Sequence, residues 1–455
     1  MDGWQVETGG SRVAQPMRAG VARVNWGARV ADFALFLVLA SSFYQTSEQG
    51  KDQPVPYDLL LVGSMALFFA LGLRFPRRLA LPASLWGLII VGYGIGGMDA
   101  VYLDRLQNAL PVTAYLTCAF IFFASCVFEA PERRLSLLFN AYCLAAILAA
   151  AAGVGGYFGI FPESFGFTNF GRADGTFNDP NVFGPYLIAP TLYLGLRLTK
   201  ARAIHAIGLL PLFVLLVLAI LLSFSRGAWG SFLLSSLVFG GFTLATSRSP
   251  AQSMRLIAFS ALMGLVIVAV VGVALSTPKV QRLFDERASL VQDYDVGHQG
   301  RFDSQKRAIA MALEHPLGIG PAQWAIINKL DTHNVYLHVL VAGGFLAGLA
   351  FISFVGLTVI RGWRAVLIDA PGQEMLIVVF AAVIGHVAEG LIIDIDNWRH
   401  LFLLFGMLWG GILAAEARRG QRATRQAGHG GTAAFGWGGG AGGFWGLKRK
   451  FWDFY

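Results

Sequence analysis

Residues 203–246 read AIHAIGLLPLFVLLVLAILLSFSRGAWGSFLLSSLVFGGFTLAT. Two apolar runs, 203–224 and 227–246, meet at a tight turn, Ser223 to Gly230, whose one charged residue is Arg226. Each run is about the twenty residues that an α-helix needs to cross a bilayer core. Working outward, the same pattern recurs at 28–44, 57–73, 79–98, 109–128, 135–160, 181–199, 254–276, 334–360, 374–394 and 399–417. The predicted fold is all-α: a polytopic integral membrane protein of about twelve transmembrane helices.

The composition agrees with that pattern. Of 455 residues, 55% are hydrophobic and only 14% charged, and mean hydropathy is +0.59. Soluble domains carry about a quarter charged residues. Twelve spans of about twenty residues use the whole apolar content, so a separate globular catalytic domain is excluded and any chemistry falls to helix ends and loops. Cys118, Cys126 and Cys143 lie inside apolar stretches without disulfide or metal-ligand spacing. Arg12, Arg18, Arg23 and Arg29 precede a first apolar run that lacks a small-residue cleavage site, so it reads as a retained span rather than a signal peptide.

The chain divides into a basic arm, 1–27, a membrane domain, 28–417, and a Gly-rich basic tail, 418–455, expected to be disordered and to adhere to anionic lipid. Most Lys and Arg fall on the side of the two termini, which places both ends in the cytoplasm. The opposite side then carries two long loops, 161–180 and 277–333, the second before the tenth helix. Because the net charge of +8 gathers at the cytoplasmic margins, a nucleic-acid partner is not expected.

Short outer turns should avoid arginine, so Arg172 and Arg226 ask for an explanation, and with the 277–333 loop the outer side offers four signals to weigh. Gly171-Arg172-Ala173-Asp174-Gly175 runs on to Asp179-Pro180-Asn181, where a cation and two carboxylates precede a span; the same residues also suit a capped helix entry. Arg226 can snorkel to headgroups beside Trp229, or Gly227 and Ala228 can leave room for a bulky ligand at its guanidinium. Arg301 opens an amphipathic helix over 302–314, with Phe302, Ile309 and Leu313 on one face and Asp303, Lys306, Arg307 and Glu314 on the other, ended by Pro316. There it holds an anion together with the helix dipole, or is simply solvated. His333 and Asn334 sit where water meets the next span: a general base for surface chemistry, or an interfacial cap. Within the membrane, His386 and Glu389 are three residues apart and either share a cavity or pair with each other or with Arg399.

From about residue 165 to 417 the chain resembles the O-antigen ligase and O-antigen polymerase family. The likeness rests on the Arg172 segment ending in Pro180-Asn181-Val182-Phe183-Gly184, on Ser225-Arg226-Gly227-Ala228, on the Arg301 helix with His315-Pro316-Leu317-Gly318-Ile319-Gly320, and on His333-Asn334-Val335-Tyr336-Leu337 followed by Gly343-Gly344. It implies a bacterial inner-membrane glycosyltransferase that moves a glycan from undecaprenyl diphosphate to a sugar hydroxyl on the periplasmic side. The acceptor is lipid A-core for a ligase, or a second lipid-linked repeat for an O-antigen or exopolysaccharide polymerase. It implies also that Arg172, Arg226 and Arg301 bind the diphosphate and that His333 is the base.

That chemistry suits these residue types. Negative charge grows on a leaving diphosphate, and the planar guanidinium meets it with paired hydrogen bonds while staying charged at any relevant pH. Attack opposite the leaving group predicts inversion. A hard cation held by Asp174 and Asp179 is the metal-dependent variant; the family resemblance favours a route without metal or cofactor. The competing reading is a transporter of a lipid-linked or anionic solute, with His386 and Glu389 as a proton relay. No duplicated half with matching broken helices supports it.

Overall fold

The computed structural model describes residues 26–45, 54–288 and 300–432. Among them it is a helical bundle whose only β-structure is one short antiparallel pair, β1 (Thr168–Asn169) and β2 (Arg172–Ala173). The helices that shape it are α1 (Trp26–Ser41), α2 (Pro56–Ala70), α3 (Ala80–Gly96), α4 (Leu103–Glu129), α5 (Pro131–Tyr157), α6 (Pro180–Tyr186), α7 (Ile188–Lys200), α8 (Ala203–Leu222), α9 (Arg226–Ala245), α10 (Pro250–Leu275), α11 (Pro278–Ala288), α12 (Arg301–Glu314), α13 (Trp324–Asn328), α14 (Val335–Val366), α15 (Gln373–Glu389) and α16 (Arg399–Thr432). Their starts are written locally. Pro56, Pro131, Pro180 and Pro250 occupy first-turn positions that need no amide donor, and Ser225, Ser249, Asp179 and Asn334 accept from first-turn amides as N-caps.

Among the described residues, 8 helices are long and apolar enough to cross a membrane. The four other expected spans are helical but shorter: 16 residues in α1, 15 in α2, 17 in α15, and 7 and 13 in α6 and α7. The last pair was expected as one span, 181–199. A second departure is at the C-terminus, where α16 continues to Thr432, so part of the tail expected to be disordered is helix. Residues 1–25 of the arm and 433–455 of the tail lie outside the described residues. The lipid-facing character is plainest in α10, where only Ala274 is buried while Met254, Ile257, Leu262, Leu265, Val268 and Val273 are exposed.

The interior is built on small residues that let backbones close up, as expected where lipid gives no hydrophobic drive for helices to meet. A Cβ at Gly410 of α16 would lie 2.5 Å from the Ala124 carbonyl of α4, and one at Gly385 of α15 would lie 2.1 Å from Ser235 Oγ of α9. α14 is interrupted at Gly343 and Gly344, the latter at φ 66°. The segment Pro316 to Gly320 fills the break: Ile319 N donates to Val341 O (2.9 Å), Gly320 N to Ala342 O (2.9 Å), and Phe345 N to Pro316 O (3.0 Å). Carbonyls that a broken helix leaves unpaired are thus satisfied inside the protein, the condition for irregular backbone at membrane depth. A side chain at Gly344 would meet Pro316 O at 2.3 Å.

Candidate functional site

Arg172 is buried, at the end of the small β-pair. Its Nε donates to the Ser223 carbonyl (2.8 Å) and its Nη2 to Asn181 Oδ1 (2.8 Å). One guanidinium therefore joins the 161–180 loop, the start of α6 and the turn that carries Arg226. Asp179 caps α6, accepting from Asn181 N at 2.8 Å. Asp174 is buried with Oδ1 unpartnered among the described residues. Burial first, then the Asp179 charge, push its carboxyl up to about 7, against its backbone hydrogen bond and Arg172. α11 covers this corner: Phe284 stacks on Trp229 (5.5 Å between centroids), and Lys279 Nζ lies 4.5 Å from the centre of the Tyr157 ring.

His333 lies just before α14 with φ 50°, a left-handed conformation uncommon outside glycine and here braced by its surroundings. The holder is Asp394, between α15 and α16. Its carboxylate accepts from Thr332 Oγ1 (2.8 Å), His333 N (3.2 Å) and Asn334 N (2.9 Å). Asn334 in turn caps α14 through Tyr336 N and Leu337 N, and Val335 N donates to Gly390 O. His338 stands nearby, 3.9 Å from Asp394 Oδ2 and 3.6 Å from Asp396 Oδ2. Sequence reasoning missed Asp394; its usable signal was a carboxylate at the end of an apolar run.

Arg301 is the first residue of α12 and is half-buried. α12 ties down the histidine loop, since Ser304 Oγ donates to Asp331 O (3.0 Å) and Gln305 Nε2 to His333 O (3.3 Å). The side of α12 that packs against the protein is its small-residue side. Ser304, Ala308 and Ala312 are buried, whereas Phe302, Ile309 and Leu313 are exposed, because α14 is close enough to admit only small side chains. His333 and Arg301 interact electrostatically. Burial and the Arg301 charge lower the imidazole pKa, while Asp394, Asp331 and Asp179 oppose them. At neutral pH the ring is therefore held unprotonated.

His386 and Glu389 are both buried on α15. His386 Nδ1 meets Ala382 O at 2.8 Å, and its ring packs against those of Trp398 and His400. Arg399, one of the partners expected for them, instead grips Asp58 with two hydrogen bonds of 2.8 Å. Glu389 explains Gly227: a Cβ there would lie 2.7 Å from Glu389 Oε1. Ala228 is likewise buried, and a Cβ at Gly184 would meet its methyl group at 2.7 Å. The small residues beside Arg226 therefore serve helix packing.

Among the described residues no group of three or more His, Cys, Asp or Glu is placed to hold a metal ion. Compared with known families, residues 211–352 match the O-antigen ligase family. That stretch is narrower than the likeness expected from 165 to 417. It contains Arg226, Arg301 and His333, whereas Arg172 and Asp394 lie outside it and are tied to the others by the hydrogen bonds above. No curated protein matches the chain.

Proposed function

We propose, from the match of residues 211–352 to the O-antigen ligase family, that the chain is a membrane glycosyltransferase for lipid-linked glycans, with the following reaction and residues. The donor is a glycan on undecaprenyl diphosphate, and the acceptor is a sugar hydroxyl, on lipid A-core or on a second lipid-linked repeat. Arg172, Arg226 and Arg301 bind the diphosphate, and His333 takes the acceptor proton. The bundle spans twelve times, with both termini cytoplasmic and the site on the periplasmic side.

In the step itself the acceptor oxygen attacks the anomeric carbon as its O–H proton passes to the His333 imidazole. The bond from that carbon to the diphosphate oxygen breaks on the opposite face, its electron pair leaving with the diphosphate, and the configuration inverts. Diphosphate leaves without a general acid provided its charge is met, which is the task of the guanidiniums. Removal of one such contact costs about 2–4 kcal/mol of transition-state stabilisation by analogy with an oxyanion-hole donor. The base contributes about 10²–10⁴-fold, for which an imidazole kept neutral by burial and Arg301 is suited. Asp179 and Asn334 act by capping α6 and α14, Glu389 by packing beneath the Arg226 turn, and His386 by packing against Trp398 and His400.

The observation that carries this reading is the Arg172 junction, which draws the Arg226 turn and the Asn181 helix start to one point. The test is purified protein with undecaprenyl-diphosphate glycan and a sugar acceptor, with and without EDTA. Product is expected despite the chelator, and is expected to vanish in folded His333→Ala and Arg226→Ala variants. Activity that survives both substitutions, or strict metal dependence, refutes the assignment. Single repeats left on the lipid after inactivation in cells identify a polymerase; full-length polymer not joined to lipid A identifies a ligase.

A further inference from the structure

We propose that the end of the bundle away from His333 holds a binding site for an anionic phospholipid. A cavity of about 720 Å³ opens there between the start of α3, the end of α4 and the C-terminal part of α16. Its distance from the site follows from α16, which begins beside Asp394 at Arg399: Leu413 to Thr424 lie some 14–25 residues further on, about 21–38 Å along the helix. The cavity joins two kinds of wall. Phe128, Leu413 and Pro76 are apolar, while Arg77 and Arg78 bring two exposed guanidiniums to the same opening.

The charge balance points to an anion. Glu416 is the one acidic residue in the lining, and it is already held by Arg361 through both oxygens, with the Arg361 guanidinium over the Trp409 ring at 4.8 Å. No described ion pair takes up Arg77 or Arg78. Both arginines also sit at the first turn of the Arg77–Gly96 span, whose N-terminal amides favour a negative group. An apolar wall running into the membrane beside a doubly cationic rim fits a ligand with an acyl chain and a phosphodiester headgroup. Free phosphate would use the rim and leave the wall unused.

Full-length protein in nanodiscs of mixed phosphatidylglycerol and phosphatidylcholine tests this, with retained lipids counted by native mass spectrometry. Preferential retention of phosphatidylglycerol by about thirtyfold is expected, the factor two interfacial arginines supply at the usual strength of such contacts. The preference should disappear in Arg77→Gln/Arg78→Gln and persist in Arg105→Gln, an exposed arginine outside this lining. Both substituted residues are exposed, and a thermal unfolding curve checks that the double variant is folded. Equal retention of the two lipids by the native protein, a preference that survives the double substitution, or displacement of the lipid by excess inorganic phosphate each overturns the proposal.

Discussion

Gly227→Ala separates packing from ligand access at the Arg226 turn. The added methyl would lie 2.7 Å from Glu389 Oε1, 3.3 Å from its Cγ and 3.4 Å from its Cδ. Glu389 is 3% exposed and cannot swing aside into solvent. Overpacking of this kind costs about 1–3 kcal/mol. Alanine recovers at most about 1 kcal/mol of helix propensity over glycine, and less here, in the first turn of α9. The net expectation is a loss of about 1–2 kcal/mol, together with reduced glycan transfer as the turn carrying Arg226 shifts. Glu389→Ala removes the obstructing atoms, so a double-mutant cycle followed by thermal unfolding should show the two substitutions compensating, with transfer partly restored. If Gly227→Ala is as stable as the native protein yet inactive, and Glu389→Ala restores nothing, the glycine serves ligand access and the packing argument is wrong.

The imidazole of His333 is held below its ordinary pKa by burial and by Arg301, so transfer should persist as pH falls through the usual histidine range. Arg301→Gln removes a lowering influence, and the acidic limb of the rate profile should move to higher pH; a limb that stays in place separates the two residues. For Asp174, raised to about 7 by burial, the linkage runs the other way from an ion-paired carboxylate. Its folded form binds the proton more tightly, so that contribution to stability is complete below pH 4 and is lost as pH rises through 7. Asp174→Asn should therefore raise the unfolding temperature at pH 8 and leave it nearly unchanged at pH 4; the opposite trend would mean that the carboxylate is paired. Gly344→Ala places a methyl 2.3 Å from Pro316 O at φ 66°. Proteolysis should then cut the 316–320 segment readily, and an uncut, fully active variant would show that the clasp is dispensable.

Much of the bundle was legible because hydropathy records the solvent each helix meets. Length was less legible. The predicted span 181–199 contains Pro185 and Pro190, and the chain divides at Leu187 into two short helices, which an apolar average cannot register. Arg172 and Arg226 stood out as charges close to the ends of apolar runs, and Arg301 and His333 as polar groups just before helix starts. Neighbouring glycines were harder to interpret. Gly318, Gly320, Gly343 and Gly344 belong to the clasp in α14, and Gly227 to the Glu389 contact; sequence gives the smallness of a residue but not which neighbour requires it. Asp394 escaped for a related reason. Its partners Thr332, His333 and Asn334 lie about sixty residues earlier, so no local spacing links them.

The same end of the bundle gathers helix starts as well as side chains. α9 begins at Arg226, α12 at Arg301 and α14 directly after Asn334. Each N-terminus carries partial positive charge from its unpaired amides, of order half an elementary charge. A guanidinium at the first position of a helix is unfavourable on dipole grounds alone, and α9 and α12 both begin with one. In the proposed reaction the diphosphate offsets this, because the dipoles and the guanidiniums then act on the same charge. The arrangement also gives the carboxylates a physical role. Asp179 and Asp394 satisfy amides at the starts of α6 and α14, and so fix each of these termini.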